Sequence, residues 1–461
     1  MKDIVNSKQP YETDVAVIGG GPSGFAAAVA AARAGARTIL VEQGGCAGGM
    51  ATQGLVGPFM TSYDSKGEEM IIRGLFSELV DRLVERGGAI HPSEIRAGTA
   101  FTSWITDGHD HVTPFDPEIL KWLMDEMLQE AGVRILYHTT FTEPVLSGTN
   151  IAKVKVNSKS GMEELSAKVF IDCTGDGDLA YRCGVPCHKG RRESGTMQPA
   201  TMFFRIGNVD DKAVEEEIEK NTDKFYRKDG VNYRSLHWRV TEARKNGDWS
   251  MDRVSIGLYR SVKPDEWNVN TSRIMGIDAT DNESLTHGEI VGRQQVVEIF
   301  NFLRKYVPGC EKAKMLGSAS TLGIRESRHI RGDYVMSLDD ILDGHVPGDS
   351  ILLAANSVDI HGRYGPAGNE YLTIRNGKWY GIPYRCLIPL GMENLLIAGR
   401  CVSASSEASG AIRVMPPCMG MGQAAGIAAA MASQKNEPVR KVEIKKLQKS
   451  LVEQGAFLPQ D

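Results

Sequence analysis

The chain has 461 residues, a length that corresponds to about three average domains. Hydrophobic residues make up 41% of it and charged residues 24%, which is the composition of a globular protein and argues against a disordered one. The net charge of -5 and the lack of a long basic run argue against nucleic acid as a partner. The eight cysteines are scattered and no signal-like or membrane-spanning stretch is visible, so we expect a cytoplasmic protein with reduced thiols that does not bind a membrane.

The first predicted elements form a β-α-β unit near the start of the chain. The run DVAVIGGG at 14–21 is apolar and ends in glycines, PSGFAAAVAAARAG is rich in alanine and stops at Gly35, and RTILVEQ is a second strand. Glycine is also abundant in the whole chain, at 50 of 461 residues, which predicts many tight turns or close contacts between backbone and ligand.

Further elements follow in alternation. An amphipathic pattern predicts a helix over 115–132 that ends at Gly132, and the next strand is VRILYH. Alternating apolar segments predict an antiparallel meander over 141–172 that leads back into a core strand. Interleaved aromatic and charged residues then indicate a second domain, and the strand NLLIAGR with the small-residue helix GMGQAAGIAAAMA returns the chain to the first domain.

A dinucleotide-binding motif lies at the first strand–helix junction. Gly19, Gly21 and Gly24 have the spacing GxGxxG, and Glu42 ends the second strand. Gly19 permits a tight turn, Gly21 lets the backbone approach a pyrophosphate, and Gly24 lets helix and strand pack closely. The helix N-terminus favours the anion, and Glu42 can accept hydrogen bonds from ribose hydroxyls. The alternative is a glycine-rich turn without a ligand, but such a turn does not require an acid at the end of the second strand.

The segment after Glu42 favours FAD over NAD. QGGCAGGMATQG is rich in glycine and suits the continuation of the site along a longer cofactor towards a flavin ring. Together with VFIDCTGDG at 169–177 and the block at 394–430, it resembles FAD-dependent oxidoreductases of the glutathione-reductase-two class. Within that class the sequence is most similar to the bacterial family known only as "FAD-dependent oxidoreductase", and segments such as GGMAT, GIRESRHIRGDYVM and IPYRCLIP extend this resemblance over nearly the whole chain.

The resemblance implies the fold and the cofactor site. The expected fold is α/β, a three-layer Rossmann-like FAD-binding domain built from 1–185 and 386–461, with an inserted α+β substrate domain over 186–385. A helix that starts near Pro417 is expected to direct its N-terminal amides at the flavin. Cys46 replaces a residue that is commonly apolar in the family, and its role stays open. The implied cofactor-binding residues are Gly19, Gly21, Pro22, Ser23, Gly24, Glu42, Gln43, Gly49, Met50, Ala51, Thr52, Thr174, Gly175, Asp176, Gly399, Arg400, Gly420, Met421 and Gly422.

The expected activity is hydride transfer between a small organic substrate and N5 of non-covalently bound FAD. One dinucleotide motif is visible, and no CxxxxC pair accompanies the flavin loop, which argues against a built-in NAD(P)H domain and against a disulfide reductase. The second electron donor or acceptor is unknown, and the chain could form a homo-oligomer. Two alternatives stay open: a flavoprotein whose FAD is structural or senses redox state, and an enzyme that modifies a macromolecule.

Two residues are the main catalytic candidates. Arg413 lies in SASSEASGAIRVMPP, a segment that resembles the substrate-binding arginine segment of fumarate reductase and succinate dehydrogenase flavoproteins; the alternative is an arginine that binds FAD phosphate or a structural carboxylate. His361 lies in the glycine-bracketed segment VDIHGRYGP and is a candidate acid or base, unless it is a structural loop histidine. Weaker candidates from similar neighbourhoods are Arg363, Tyr364, Tyr384 and Arg385.

The segment GIRESRHIRGDY carries several charges that favour a structural interpretation. We expect Arg325, Arg328 and His329 to form an ion-paired network that joins the domains, with Glu326 and Asp333 as partners.

Cys183, Cys187 and His188 form a CxxxCH pattern that could suggest a metal. No matching second pair accompanies it, so a metal site is not predicted.

Overall fold

The computed structural model describes residues 11–191, 194–228, 231–361 and 370–458. Its strands are β1 (Tyr11–Ile18), β2 (Thr38–Val41), β3 (Arg134–Leu136), β4 (Thr140–Ser147), β5 (Asn150–Ser158), β6 (Gly161–Asp172), β7 (Cys187–Lys189), β8 (Phe204–Gly207), β9 (Tyr226–Lys228), β10 (Val231–Arg234), β11 (Leu258–Arg260), β12 (Trp267–Val269), β13 (Lys314–Ser318), β14 (Arg328–Ile330), β15 (Ser350–Ala354), β16 (Val358–Ile360), β17 (Glu370–Leu372), β18 (Tyr380–Pro383) and β19 (Leu395–Ile397).

Its helices are α1 (Pro22–Arg33), α2 (Leu75–Glu85), α3 (Pro117–Glu130), α4 (Asp178–Arg182), α5 (Asp211–Glu219), α6 (His237–Lys245), α7 (Asn282–Tyr306), α8 (Leu338–Leu342), α9 (Ser406–Ile412), α10 (Met415–Lys435) and α11 (Ile444–Glu453). Among the described residues, no helix combines the length and the apolar character that crossing a membrane requires.

The main sheet has the strand order β3-β2-β1-β6-β5-β4, and β19 also pairs with β6. Strands β1, β2, β3, β6 and β19 are parallel, whereas β4 and β5 form an antiparallel meander that leads into β6. Strand β6 is long enough to pair with β5 over its first residues and with β19 over its last ones. The predicted β-α-β unit, the predicted meander and the predicted α/β, Rossmann-like fold are confirmed.

This sheet is buried on both faces, as the sequence of β1 shows. Val15 and Val17 belong to one hydrophobic core, and Ala16 and Ile18 belong to another. Because side chains alternate along a strand, the continuous apolar run places each pair on its own face.

Two helices of small residues, α1 and α10, cover the first face of the sheet. A Cβ added to Gly422 would lie 2.1 Å from the carbonyl oxygen of Ser23, and one added to Gly426 would lie 2.3 Å from that of Ala27. The two helices therefore touch backbone to backbone at these glycines.

A separate core gathers buried side chains between residues 200 and 322. It contains the antiparallel sheet of order β11-β12-β8-β13 and the buried face of α7. Trp104, although it comes earlier in the chain, stacks on Trp267 in this core with ring centroids 6.2 Å apart.

The buried residues between 336 and 384 pack elsewhere. Leu352 and Tyr380, for example, belong to the core that contains α1 and α10. The domain boundaries at 185 and 385 stay predictions, and this packing favours a return to the first domain before residue 385.

Candidate cofactor and active site

A cavity of about 750 Å³ lies where β1, β2, β6 and β19 reach their carboxyl ends. Gly19, Glu42, Cys173 and Gly399 follow these four strands and line it, and Phe203 of the second core lines it from another side. Ligands of open α/β sheets bind at this edge, and cavities of this size bind small molecules and cofactors.

Most of the predicted cofactor-binding residues line this cavity, although they come from separate segments of the chain. They are Gly19, Gly21, Pro22, Ser23, Glu42, Gln43, Gly49, Met50, Thr174, Gly175, Asp176, Gly399 and Arg400. The others, which the cavity wall does not include, are Gly24, Ala51, Thr52, Gly420, Met421 and Gly422.

The three glycines of the motif have different surroundings. Gly19 has a φ of +97°, and a Cβ on it would lie 2.4 Å from the carbonyl oxygen of Cys173. A Cβ on Gly24 would lie 1.8 Å from the carbonyl oxygen of Gly19, so close packing of helix and strand requires a glycine here. A Cβ on Gly21 would have no atom within 4 Å and would enter the cavity. Only at Gly21 would a side chain occupy ligand space.

Glu42 is held by backbone at the end of β2. Its Oε2 accepts the N–H of Gly20 at 2.6 Å, and its Oε1 accepts the N–H of Gly44 at 2.6 Å. The side chain is buried but lines the cavity. Nε2 of Gln53 also donates to Oε1 at 3.4 Å, whereas Oε2 can accept a second hydrogen bond, so Glu42 can still receive a ribose hydroxyl.

In the loop after Glu42, some residues line the cavity and others stabilise the loop itself. Gly49 and Met50 line the cavity. Thr52 is buried and donates its hydroxyl to the carbonyl oxygen of Ala47 at 2.7 Å, while Ala51 packs in the core. Both side chains therefore stabilise the loop from behind and do not line the cavity, and the cofactor contacts of Ala51 and Thr52 stay predictions.

Cys46 lies in the same loop but outside the cavity wall. Its thiol lies 3.8 Å from the hydroxyl of Thr52, and burial raises its pKa.

The loop after β6 is held by a buried carboxylate. Asp172 accepts the N–H and the hydroxyl of Thr174 at 3.1 and 2.8 Å, and the N–H of Ala180 at 2.8 Å. Burial raises the pKa of Asp172 to about 6. This carboxylate keeps Thr174 and its neighbours at the cavity edge.

An ion pair closes the same edge. Arg400 contacts Asp176 at 2.8 Å, and the hydroxyl of Ser327 bridges them, since it donates to Asp176 at 2.6 Å and accepts from Arg400 at 2.9 Å. Arg400 also lies against Gly175, where an added Cβ would come within 2.9 Å of its guanidinium.

The start of α10 differs from the prediction. The helix begins at Met415, so Pro416 and Pro417 occupy its first turn and offer no N–H group to a ligand. The cavity instead meets Val414, Met415 and Cys418. Because prolines are tolerated in the first turn of a helix, the two prolines do not tell from the sequence whether α10 begins before or after them.

Gly420, Met421 and Gly422 are buried inside α10 and do not line the cavity, and their contacts with the cofactor stay predictions. Gly422 packs on α1, and a Cβ on Gly420 would meet the side chain of Leu352 at 2.7 Å. These small residues serve helix packing.

His361 lies on the cavity wall beside a carboxylate. Its Nε2 lies 2.9 Å from Oδ2 of Asp359, and its backbone N–H donates to Oε1 of Gln198 at 3.2 Å. Burial lowers the pKa of His361 to about 3, although the charge of Asp359 opposes this shift. Burial also tends to raise the pKa of Asp359, but His361, Arg413 and Arg325 hold it well below its usual range. At neutral pH the imidazole is uncharged and the carboxylate is ionised.

Arg413 lies beside the same pair. Its Nη2 donates to the carbonyl oxygen of Asp359 at 3.1 Å and to Oε1 of Gln198 at 3.4 Å. Burial lowers the pKa of the guanidinium. The two main catalytic candidates, predicted from separate segments, thus meet around Asp359 on the cavity wall.

Tyr384 does not line the cavity, so the structure does not support the catalytic role predicted for it, which stays a prediction. It is 1% exposed, packs in the core, and donates its hydroxyl to the carbonyl oxygen of Val439 at 2.9 Å. Arg385 pairs with Asp349 at 2.9 Å outside the cavity wall. Arg363 and Tyr364 lie outside the described residues.

The expected ion-paired network is present in part. Arg328 pairs with Asp178 at 2.7 Å, and His329 lies 3.1 Å from Glu326.

Two members of that predicted network have other surroundings. Asp333 pairs with Arg440 at 3.3 Å and with none of the three residues expected. Arg325 lines the cavity and donates to Thr201 and to the carbonyl oxygen of Pro199.

Sequence reasoning missed Asp359 and Gln198, and it assigned Arg325 to the ion-paired network and not to the cavity. A usable signal existed for Asp359, because it precedes His361 by two residues and such residues share one face of a strand. For Gln198 the sequence offered no signal, since a glutamine among neutral residues is common in any core-flanking loop.

Within the described ranges, no group of three or more His, Cys, Asp and Glu side chains could hold a metal ion. His188 of the CxxxCH pattern instead stacks on His329, with ring centroids 4.8 Å apart.

The family of this chain follows from its match to a known family. The model of the family described as "FAD dependent oxidoreductase" matches residues 14–451. The chain belongs to this family. The cofactor of this oxidoreductase is FAD, and the open space at Gly21 with the acceptor Glu42 suits its pyrophosphate and ribose.

One curated relative of the oxidoreductase is the mitochondrial dihydrolipoyl dehydrogenase of Rattus norvegicus. It is 24% identical over 268 residues, which are 54% of this chain and 51% of the relative. The chain thus spans about half the length of this relative.

Similar solved structures include a geranylgeranyl bacteriochlorophyll reductase-like protein from Thermoplasma acidophilum, with 12% identity, coverage of 97% of this chain and 84% of that one, and a TM-score of 0.45. A p-nitrophenol 4-monooxygenase from Pseudomonas putida has 12% identity, coverage of 97% and 87%, and a TM-score of 0.44. A flavin-dependent brominase has 11% identity, coverage of 96% and 83%, and a TM-score of 0.46.

Proposed function

We propose that this oxidoreductase transfers a hydride between a small organic substrate and N5 of FAD, with His361 exchanging the proton and Arg413 anchoring the substrate. The observation that carries this proposal is the meeting of His361, Asp359 and Arg413 on the wall of the cavity that the glycine motif also lines. Bound FAD supplies a two-electron acceptor or donor, and the side chains of the chain supply the rest.

His361 has the protonation state that a base needs. The imidazole is uncharged at neutral pH and can accept a proton. The carboxylate of Asp359, 2.9 Å from Nε2, orients the ring and stabilises the positive charge that would develop on it. A lone buried histidine would lack this stabilisation.

Arg413 has the orientation that an anchor needs. Two neutral oxygens, those of Asp359 and Gln198, hold its Nη2 and fix the plane of the guanidinium. The remaining N–H groups can bind a carbonyl or carboxylate oxygen of a substrate in a planar, bidentate way.

The decisive experiment mixes the FAD-loaded protein with a library of small metabolites under anaerobic conditions and follows the visible absorbance of the flavin. The expected result is bleaching by one class of compound. Protein that holds FAD but is bleached by no small substrate would contradict the proposal and favour a structural or sensing FAD.

A further inference from the structure

A buried glutamine lies directly behind the two catalytic candidates. Gln198 is 3% exposed and is not part of the cavity wall. Its Oε1 accepts two hydrogen bonds, one from the backbone N–H of His361 at 3.2 Å and one from Nη2 of Arg413 at 3.4 Å. One amide oxygen therefore links the two segments that carry these side chains.

The orientation of this amide follows from its neighbours. Both groups at the Oε1 position are donors, so a flipped amide would place its own N–H groups against them. Only an oxygen at this position satisfies His361 and Arg413 together.

A buried carboxylate holds Gln198 from behind. Oε2 of Glu326 accepts the backbone N–H of Gln198 at 3.0 Å, and Oε1 lies 3.1 Å from Nε2 of His329. The hydroxyl of Ser406 donates to the same Oε1. Burial tends to raise the pKa of Glu326, but His329 and these hydrogen bonds hold it below its ordinary value, so the carboxylate is ionised.

The position of Ser406 connects this carboxylate to Arg413 by a second route. Helix α9 begins at Ser406 and ends at Ile412, and Arg413 follows it directly. Glu326 thus fixes both the helix that presents Arg413 and the residue that holds its guanidinium.

We propose that Gln198 is a positioning residue that keeps His361 and Arg413 in a fixed relation to each other, and that Glu326 anchors it. This inference rests on the proposed function, because it concerns the same two side chains. Gln198 does not line the cavity, so it acts through His361 and Arg413 and not on the substrate.

Three variants separate this role from ordinary core packing. Gln198→Met keeps the length of the side chain and removes the acceptor, whereas Gln198→Glu keeps an oxygen for both donors. The matched control is Gln423→Met, because Gln423 is 1% exposed, accepts the N–H of Leu75 at 3.1 Å and lies outside the cavity wall. FAD content and thermal midpoint are measured first for each.

The first readout needs no substrate. Diethyl pyrocarbonate modifies uncharged imidazole, and peptide mapping reports its rate at His361 in the FAD-loaded protein. In Gln198→Met we expect modification roughly tenfold faster than in wild type, since loss of one hydrogen bond frees the segment. Gln423→Met should keep the wild-type rate, and Gln198→Glu, which keeps the acceptor but adds a buried charge, should stay closer to wild type than Gln198→Met does. A wild-type rate in Gln198→Met with FAD retained would overturn the proposal.

The second readout uses a compound that bleaches the wild-type flavin. Gln198→Met should slow the bleaching roughly tenfold, and Gln198→Glu should restore most of it, a rescue that a packing role does not produce. If Gln198→Met does not fold, Gln198→Asn draws the amide back by one carbon and should change both readouts in the same direction. Failure of every compound on wild type would refute the proposed function, whereas the modification rate would still decide the role of Gln198.

Discussion

Gly21 and Gly24 belong to one motif, but different forces require a glycine at each. At Gly24 the carbonyl oxygen of Gly19 excludes a side chain, so the reason is internal packing. At Gly21 an added Cβ would meet no protein atom within 4 Å apart from its own chain neighbours, so packing does not require a glycine here and the expected reason is the pyrophosphate.

This difference predicts that Gly21→Val folds but does not bind FAD. The branched side chain would fill the space that the pyrophosphate requires while leaving the protein's own contacts unchanged. Flavin absorbance relative to protein absorbance after purification checks this. Gly348→Val is the control, because Gly348 also has open space around it and lies outside the cavity wall. Stoichiometric FAD in Gly21→Val would show that the motif does not hold the pyrophosphate.

The two catalytic candidates make distinct kinetic predictions. His361→Ala should retain FAD and slow flavin reduction by roughly 10²-fold or more, because a general base is lost. Arg413→Lys should mainly raise the substrate concentration required, because an ammonium group cannot replace a bidentate guanidinium. Stopped-flow reduction with a substrate from the metabolite screen measures both. His287→Ala, on an exposed position of α7, is the control, and an unchanged rate in His361→Ala would remove this histidine from the mechanism.

The lowered pKa of His361 also predicts how stability depends on pH. The pKa is about 3 in the folded protein and 6.5 for an unperturbed histidine, so between these values the unfolded chain binds more protons at this residue. The contribution of His361 to stability is therefore complete above about pH 6.5 and is lost as the pH falls towards 3. Asp359, whose folded pKa is lowered, contributes above its ordinary pKa of 3.8 and loses this contribution only at lower pH.

We expect the thermal midpoint of wild type to fall more steeply between pH 6.5 and 4.5 than that of His361→Gln. Calorimetry or circular dichroism of FAD-loaded protein measures the two curves. The exposed substitution His287→Gln should follow wild type. Parallel curves for wild type and His361→Gln would mean that His361 is not kept uncharged by burial.

At the scale of elements, the contact between α1 and α10 explains the small residues of both helices. Gly422 and Gly426 bring α10 against the backbone of α1, so the two helices approach more closely than side chains allow. Gly420 on the same helix faces the flexible side chain of Leu352 instead.

Gly426→Ala should therefore destabilise the protein by about 1–3 kcal/mol, because its methyl group would collide with the carbonyl oxygen of Ala27 and backbone cannot move aside easily. Gly420→Ala should cost less, since Leu352 can adjust and alanine favours the helix. Urea unfolding of both variants gives the comparison. Equal free energies of unfolding would contradict the backbone-to-backbone contact.

At the scale of the whole molecule, the cavity connects two separate cores. Gly19 and Glu42 line it from the first core, and Phe203 and Tyr259 line it from the second. A ligand that fills it contacts both, and a ligand that binds only the folded state stabilises it by mass action.

Removal of FAD should accordingly lower the thermal midpoint, and added FAD should restore it in a concentration-dependent way. At a hundredfold excess over the dissociation constant, FAD should raise the free energy of unfolding by about 2.7 kcal/mol. Gly21→Val, which should not bind FAD, provides the control and should not respond to added FAD. Differential scanning fluorimetry measures the thermal midpoints of the FAD-free protein, of the protein with added FAD and of Gly21→Val. An identical thermal midpoint with and without FAD would show that FAD does not bind selectively to the folded protein.

Several expectations about the whole molecule stay predictions. They are the cytoplasmic location, the lack of nucleic-acid and membrane partners, the second electron donor or acceptor, and homo-oligomer formation. The nearer resemblance to one bacterial family and to fumarate reductase flavoproteins also stays a prediction.

The fold class, the β-α-β unit, the cofactor and most of the residues that line the cavity could be predicted from the sequence, because these depend on local spacing and on strand ends that always meet at one edge of a parallel sheet. Tertiary structure alone decided which residues in each segment face the cavity. The side chains of Tyr384 and Thr52 lie in the interior and Gly422 packs against the backbone of Ser23, whereas Arg325 lines the cavity. It also decided the surroundings of His361, since Gln198 comes from a segment 163 residues away, and contacts of that range leave no periodic signal in a single sequence.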